Sequence, residues 1–229
     1  MNVNVDIIPV TLGISRSYVL RGDSVIAVDC GCAGKGGSFL KGLEKAGIAP
    51  GDVKLLLITH GHSDHIGSAA EIKSATGAKI AMHSCEAKWM ESPVMPAPPG
   101  ITRWGRVFMK LRRYIMPVED VAAAAVDIRV GNEGISLDEY GIPGSVIWTP
   151  GHTPGSLSVL LRSGEAIVGD LAMNMFPLRL TPGLPIFAED YGALIRSWEM
   201  LIEMGASTVY PAHGKPFPIS VIKRKIGKG

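Results

Sequence analysis

The sequence predicts an α+β protein in which two β-sheets pack together and carry helices on their outer sides. Three observations lead there. Short apolar runs of strand character occur in both halves of the chain. Segments with helical spacing are interposed among them in each half. No internal repeat of solenoid length is present.

Taken in order, residues 3–10 and 14–21 alternate toward strand, with Gly13 between them and a Gly22-Asp23 turn after the second. Residues 24–29 form a short apolar run suited to a buried strand. Residues 38–46 place Phe39, Leu40, Leu43 and Ala46 at helical spacing. After the Pro50-Gly51-Asp52 turn, residues 53–59 form another buried strand centred on Leu55-Leu56-Leu57-Ile58. A helix is expected over about 66–75, a strand over 78–82 and a short helix over 84–91. Pro93, Pro96, Pro98, Pro99 and Gly100 then exclude continuous helix. Residues 101–116 predict an amphipathic helix with Ile101, Trp104, Phe108, Leu111 and Ile115 on one stripe and Arg103, Arg106, Lys110 and Arg113 mostly elsewhere. Short strands follow at about 126–130, 134–138, 145–149, 156–161 and 165–169. Asp190 is a candidate N-cap for a helix to about 204, and residues 207–210 close the series.

A chain of 229 residues is long enough to bury a substantial core, and is read as one domain over 1–229. Apolar residues make up 46% and charged residues 19%, which excludes a disordered chain. The net charge of +2 implies neither nucleic acid nor an anionic membrane as an obligatory partner. The basic segment Lys223-Arg224-Lys225 with Lys228 is expected to be a solvated tail. The N-terminal residues show no signal-peptide pattern, and no apolar stretch reaches the ~18 residues of a membrane span. Cys30, Cys32 and Cys85 have no framework spacing, so reduced thiols in the cytoplasm are the expectation.

The chemistry is concentrated in Thr59-His60-Gly61-His62-Ser63-Asp64-His65. Chance yields H-x-H-x-D-H with a probability on the order of 10⁻⁴, so as a motif it has a low false-positive risk. It begins where a buried strand ends, where a rigid sheet presents loop residues to a ligand. Imidazole and carboxylate are ordinary ligands of zinc and related ions. His60 and His62, two apart in an extended segment, point the same way. Asp64 and His65 come just after. Three more ligand-type residues lie at strand ends: His152 in Thr149-Pro150-Gly151-His152-Thr153-Pro154-Gly155, Asp170 after Ala166-Ile167-Val168-Gly169, and His213 in Tyr210-Pro211-Ala212-His213-Gly214.

This ordered set, T-H-x-H-x-D-H, P-G-H-T-x-G-S, G-D and P-x-H-G, resembles the ligand pattern of the metallo-β-lactamase superfamily. The resemblance runs from Asp29 to Gly214. It implies a four-layer αββα sandwich with the metals at one edge between the sheets. Carried over residue by residue, it implies that His60, His62 and His152 hold one metal. Asp64, His65 and His213 hold a second, and Asp170 bridges both. The implied cofactors are two divalent ions, zinc first, with iron or manganese as alternatives. The implied mechanism has ions roughly 3.5–4 Å apart activating a shared water as hydroxide. Asp64 is the candidate catalytic residue, orienting the nucleophile or moving its proton.

The β-lactamases that name the family use a different second-site set, with a cysteine and without the bridging Asp. The presence of Asp170 and His65 makes this chain more similar to the glyoxalase II and lactonase branches. Only 16 residues follow His213, which leaves no room for the helical C-terminal segment with which glyoxalase II enzymes bind glutathione. The expectation is therefore hydrolysis of a small thioester, ester or lactone. An iron-dependent persulfide dioxygenase is the alternative, and a phosphodiesterase or ribonuclease ranks behind it. A small-molecule substrate is the expected partner, and homodimer formation stays open.

Several residues have two readings. Asp29 is either a turn Asp or, by the resemblance, a carboxylate that orients a ligand histidine. His83 is a capping or surface residue, or lines a pocket. Cys32 and Lys215 read as loop residues that could approach the site. The 101–116 helix is either a core element or a lid carrying Trp104, Phe108 and Tyr114.

Overall fold

A computed structural model describes residues 4–92, 99–115 and 120–227, with only the backbone course described at 109 and 112–115. Val3, the prolines at 93, 96 and 98, the Tyr114 side chain, Met116 and Lys228 lie outside the described residues.

The first sheet has six strands in the order of the chain: β1 (Asp6–Leu12), β2 (Ser15–Arg21), β3 (Val25–Val28), β4 (Val53–Leu57), β5 (Lys79–His83) and β6 (Ile128–Val130). β1, β2 and β3 pair antiparallel; β3 through β6 pair parallel. The helices between them are α1 (Gly36–Lys45), α2 (Ser63–Ile66), α3 (Ala69–Thr76), α4 (Ala87–Glu91) and α5 (Arg103–Ile115). The second half supplies β7 (Ile135–Ser136), β8 (Gly144–Trp148), β9 (Leu157–Leu161), β10 (Glu165–Ile167), β11 (Met173–Asn174), α6 (Tyr191–Glu203), β12 (Thr208–Tyr210), β13 (His213–Gly214), β14 (Phe217–Pro218) and α7 (Ser220–Lys225). Six of these strands form a sheet in the order β14-β12-β10-β9-β8-β7, while β11 pairs with β13 apart from it.

Alternation along the strands builds the layers. Leu20, Ile26, Val28, Leu55 and Leu57 face Val146, Val159, Leu161 and Ile167 in a core between the sheets. Their neighbours Val19, Ala27, Leu56 and Ile80 face Phe39, Leu43 and Ile72 of the helices on the first sheet. On the second sheet, Leu160, Ala166 and Val209 face Trp198, Leu201 and Ile222. Burial on both faces explains the apolar runs Val25–Val28 of β3 and Leu55–Leu57 of β4. The result is the expected αββα sandwich.

The structure adds detail in three places. The helix expected over about 66–75 is α3, and a separate short helix, α2, precedes it. At Gly67 between them, a Cβ would lie 2.3 Å from the Ala33 nitrogen, so α2 sits directly on the 32–33 backbone. The strand expected over 134–138 keeps only two residues, because Asp138–Tyr140 turn as a short 3₁₀ helix. Lys223-Arg224-Lys225 are not a tail: they form the last turn of α7, where cations suit the helix dipole, and α7 buries Ile222. Among the described residues, no helix is long and apolar enough to cross a membrane.

Trp198 ties the α6 layer to the site. It is fully buried, and its indole N–H donates to the carbonyl of Leu171, beside Asp170, at 3.0 Å. Trp198→Ala removes that donor and leaves a cavity. The expected loss is about 3–5 kcal/mol of stability, read as a lower urea midpoint.

Candidate metal centre

Strand ends supply the site. β3 runs into Asp29, the only non-glycine at positive φ among the described residues (φ 64°). That turn aims its carboxylate across the end of β4. The carboxylate accepts Thr59 N–H at 2.8 Å, the Thr59 hydroxyl at 2.9 Å and His65 Nδ1–H at 2.8 Å. The Thr59 hydroxyl proton is committed to Asp29, so Thr59 Oγ1 accepts from His60 Nδ1 at 3.1 Å. His152 Nδ1–H donates to the Phe187 carbonyl at 3.0 Å, and His213 Nδ1–H to the Ile14 carbonyl at 2.9 Å. Each of these four rings thereby has its Nδ1 engaged and turns its Nε2 inward.

The inward atoms form two groups. His60 Nε2 and His152 Nε2 approach His62 Nδ1 at 3.0 and 3.1 Å. One proton on His62 can satisfy only one of these contacts, and His62 Nε2 is buried without a partner. In the second group, His213 Nε2 lies 3.1 Å from Asp64 Oδ2 and 3.2 Å from Asp170 Oδ1, and His65 Nε2 lies 3.4 Å from Asp170 Oδ1. The other oxygen of Asp170 turns to the first group, 3.6 Å from His152 Nε2. Asp170 thus faces both groups with one oxygen each. The sets His60–His62–His152, His60–His65–Asp170 and Asp64–His65–His213 each gather their ligand atoms within 4.8 Å. All seven residues singled out in the sequence therefore meet in one place.

The electrostatics divide along the same line. Burial pushes the pKa of His60 well down, that of His62 to about 3, and that of His152 down, so this trio is neutral at pH 7. Burial also opposes charge on His65 and His213. There the carboxylates win: Asp29 and Asp170 hold His65 well up, and Asp170 with Asp64 lifts His213 to about 10. Burial works against ionised Asp64 and Asp170 too, yet His65 and His213 hold both below the usual carboxylate range. Without a cation, the second group balances its carboxylates with two imidazolium protons.

Three supports were not evident from sequence. Glu86 is fully buried and accepts Gly61 N–H at 2.8 Å and Gly155 N–H at 2.6 Å, joining the His60–His62 loop to the His152 loop. The β1–β2 turn reaches the site, since the Ser15 hydroxyl donates to the Asp64 carbonyl beside the Ile14–His213 contact. Gly169, at φ +51°, passes so close to Thr59 that a Cβ would lie 2.5 Å from its hydroxyl. Glu86 sits in the mixed segment His83-Ser84-Cys85-Glu86-Ala87-Lys88, which carries no sequence signal for this role.

Of the residues with two readings, Asp29 is the carboxylate that orients His65. His83 is buried, not a surface residue: it stacks on Trp148, and its ring nitrogens lie 3.1 Å from Cys85 Sγ and 3.0 Å from Asn132 Oδ1, outside the cluster. Cys32 is buried under Gly13 and belongs to none of the three sets, and Lys215 is exposed. A cavity of about 620 Å³ lies behind the His152 loop, walled by Trp148, Thr153, Glu189, Arg196 and Met200, and none of the seven residues lines it.

Residues 10–213 match the family model described as the metallo-beta-lactamase superfamily. The chain belongs to this superfamily. It is a metal-dependent hydrolase of the metallo-beta-lactamase fold. The probable metallo-hydrolase YybB of Bacillus subtilis is 24% identical over 91% of this chain and 84% of its own length. The hydroxyacylglutathione hydrolase GloC of Haemophilus influenzae is 25% identical over 74% of this chain and 72% of its own. Among solved structures, the BLEG-1 B3 metallo-beta-lactamase superposes with a TM-score of 0.70 at 22% identity, covering 96% of this chain and 97% of its own. A superfamily member from Sulfolobus tokodaii, ST1585, superposes with a TM-score of 0.68 at 21% identity, over 100% and 86% of the two chains. These last two likenesses bear on fold alone.

The superfamily frame makes the Glu86 bridge testable. Glu86→Gln replaces one acceptor with an NH₂ group facing a backbone N–H. The expected cost is about 1–3 kcal/mol, seen as a lower melting temperature, with weaker metal retention in a chelator competition. Asp29→Asn is expected to lower metal affinity about 10–100-fold in the same competition, because the carboxylate that polarises His65 is lost.

Proposed function

We propose that this protein hydrolyses a small thioester, ester or lactone with two divalent metal ions, zinc first, held by His60, His62 and His152 on one side and by Asp64, His65 and His213 on the other, with Asp170 shared. The observation that carries the reading is the convergence of inward-facing imidazole nitrogens with two ionised carboxylates in a buried space. A single His62 proton cannot serve both His60 Nε2 and His152 Nε2, at 3.0 and 3.1 Å, so at least one close contact sets lone pair against lone pair unless a cation lies between them. His65 Nε2 and Asp170 Oδ1 are buried without hydrogen-bond partners, and the unpartnered His62 Nε2 marks the outer side of the same ring. The donors are all nitrogen and oxygen, which suits zinc and also admits iron or manganese.

When bound, such ions polarise a carbonyl and lower the pKa of a water toward ~7. The chain's own residues do the rest. Asp29, Thr59, Phe187 and Ile14 fix the ring tautomers, so that no reorganisation is needed when the ligand set acts. Asp64 is the more open of the two carboxylates, with a side chain 20% exposed against 6% for Asp170. Its carboxylate therefore stands where water and substrate arrive, and holds or moves the proton of the nucleophile. The hydroxyacylglutathione hydrolase name of one relative supports a thioester within the proposed class.

Metal content and turnover test the proposal together. Two zinc ions per chain and hydrolysis of at least one member of a thioester–ester–lactone panel are expected. His62→Ala should lose activity and at least one ion; full activity with full metal content would sink the assignment. One iron per chain with oxygen consumption would replace hydrolysis by oxygenation. A second measurement uses protonation. His65 and His213 carry protons in the metal-free protein at pH 7 because their pKa values are raised. Metal uptake should therefore release about two protons per chain. Titration calorimetry in buffers of different ionisation enthalpy reads that number.

A further inference from the structure

Helix α5 presents an apolar stripe to solvent. Trp104, Val107 and Leu111, spaced three and four apart, are 43%, 48% and 46% exposed. The face turned inward is different: a Cβ on Gly105 would lie 2.2 Å from the Ile186 carbonyl oxygen, and Phe108 meets Phe187 with ring centroids 5.6 Å apart. The Trp104 indole N–H donates to the Pro177 carbonyl at 3.2 Å, which fastens the helix to a loop whose Phe176 and Leu180 are 75% and 88% exposed. The stripe adjoins a band of exposed cations, Arg103, Arg106 and Lys110. On the wheel, that band follows the apolar one directly. The 13 residues of α5 hold five cations and no acidic residue, so the +2 of the whole chain conceals a strongly positive helix on a remainder of net negative charge.

We propose that α5 and the 176–180 loop form a docking surface for an anionic lipid bilayer. The cations meet headgroup charge, while Trp104, Val107, Leu111, Phe176 and Leu180 enter the boundary between headgroups and acyl chains. Charge decides against a second copy of this chain, since pairing two such helices face to face brings Arg103, Arg106 and Lys110 against the same three cations. The aliphatic members decide against nucleic acid, because Val107, Leu111 and Leu180 offer no stacking platform for bases. The surface lies close to the metal centre: Phe108 packs on Phe187, whose carbonyl orients His152. The proposal does not depend on which bond the enzyme cleaves.

The test is co-sedimentation of the full chain with vesicles of phosphatidylcholine alone and of phosphatidylcholine mixed with phosphatidylglycerol. Binding to the anionic vesicles only, weakened by added salt, is expected. The triple variant R103Q, R106Q, K110Q should bind about a hundred-fold more weakly, from about five-fold per cation removed. Phe176→Ser with Leu180→Ser changes only loop residues that are already exposed; it should weaken binding with an unchanged melting temperature. No sedimentation with anionic vesicles at low salt would overturn the proposal, as would equal binding by the variants. So would a concentration-dependent dimer that the triple variant abolishes, or a preference for single-stranded RNA over vesicles.

Discussion

Everything at the centre depends on the buried carboxylate of Asp29. It takes the backbone N–H and the hydroxyl of Thr59 and the Nδ1 proton of His65. Those contacts set the direction of the first residue of the His-rich run and the tautomer of its last. Through Thr59 they also set the tautomer of His60. A left-handed backbone at a non-glycine residue carries a conformational cost, and here the turn places one carboxylate against two donors of Thr59, after β4, and one of His65 in α2. The parallel pairing of β3 with β4 makes this possible, because both chains leave the sheet at the same edge.

The second sheet meets the same edge. Asp170 follows β10 and His213 follows β12, and these two strands are also parallel neighbours. Each sheet therefore offers a pair of co-directional strand ends, and the site is their junction. Two carboxylates and five imidazoles are tolerable in so small a buried space because their protonation is divided between them. One trio is kept neutral by burial, and two rings are kept charged by the acids.

Much of this was legible in the sequence, for physical reasons. His60, His62, Asp64 and His65 are neighbours in the chain, so their pattern survives without knowledge of the fold. His152, Asp170 and His213 stand at the ends of apolar runs that could only be strands. Glu86 was not legible, because its two partners, Gly61 and Gly155, are brought together only by sheet packing. The break between α2 and α3 was hidden because Gly67 meets the 32–33 backbone rather than anything near it in sequence. On α5, periodicity identified an apolar stripe but not its direction. Gly105 and Phe108 take the inward face, which leaves Trp104 and Leu111 outside.

Glu86 spans loops that belong to different sheets, and close by the Thr59 carbonyl accepts the N–H of Leu157 at 2.8 Å across the same seam. The ligand loops of the two sheets are thus stitched together by buried hydrogen bonds. An ion held there would have two of its ligand loops pinned by that seam, so opening the seam would loosen the hold on it. Its residence time and the solvent exchange of the Leu157 amide would then be two clocks driven by one motion, and the tightness of the centre would be a property of the whole sandwich rather than of its seven side chains.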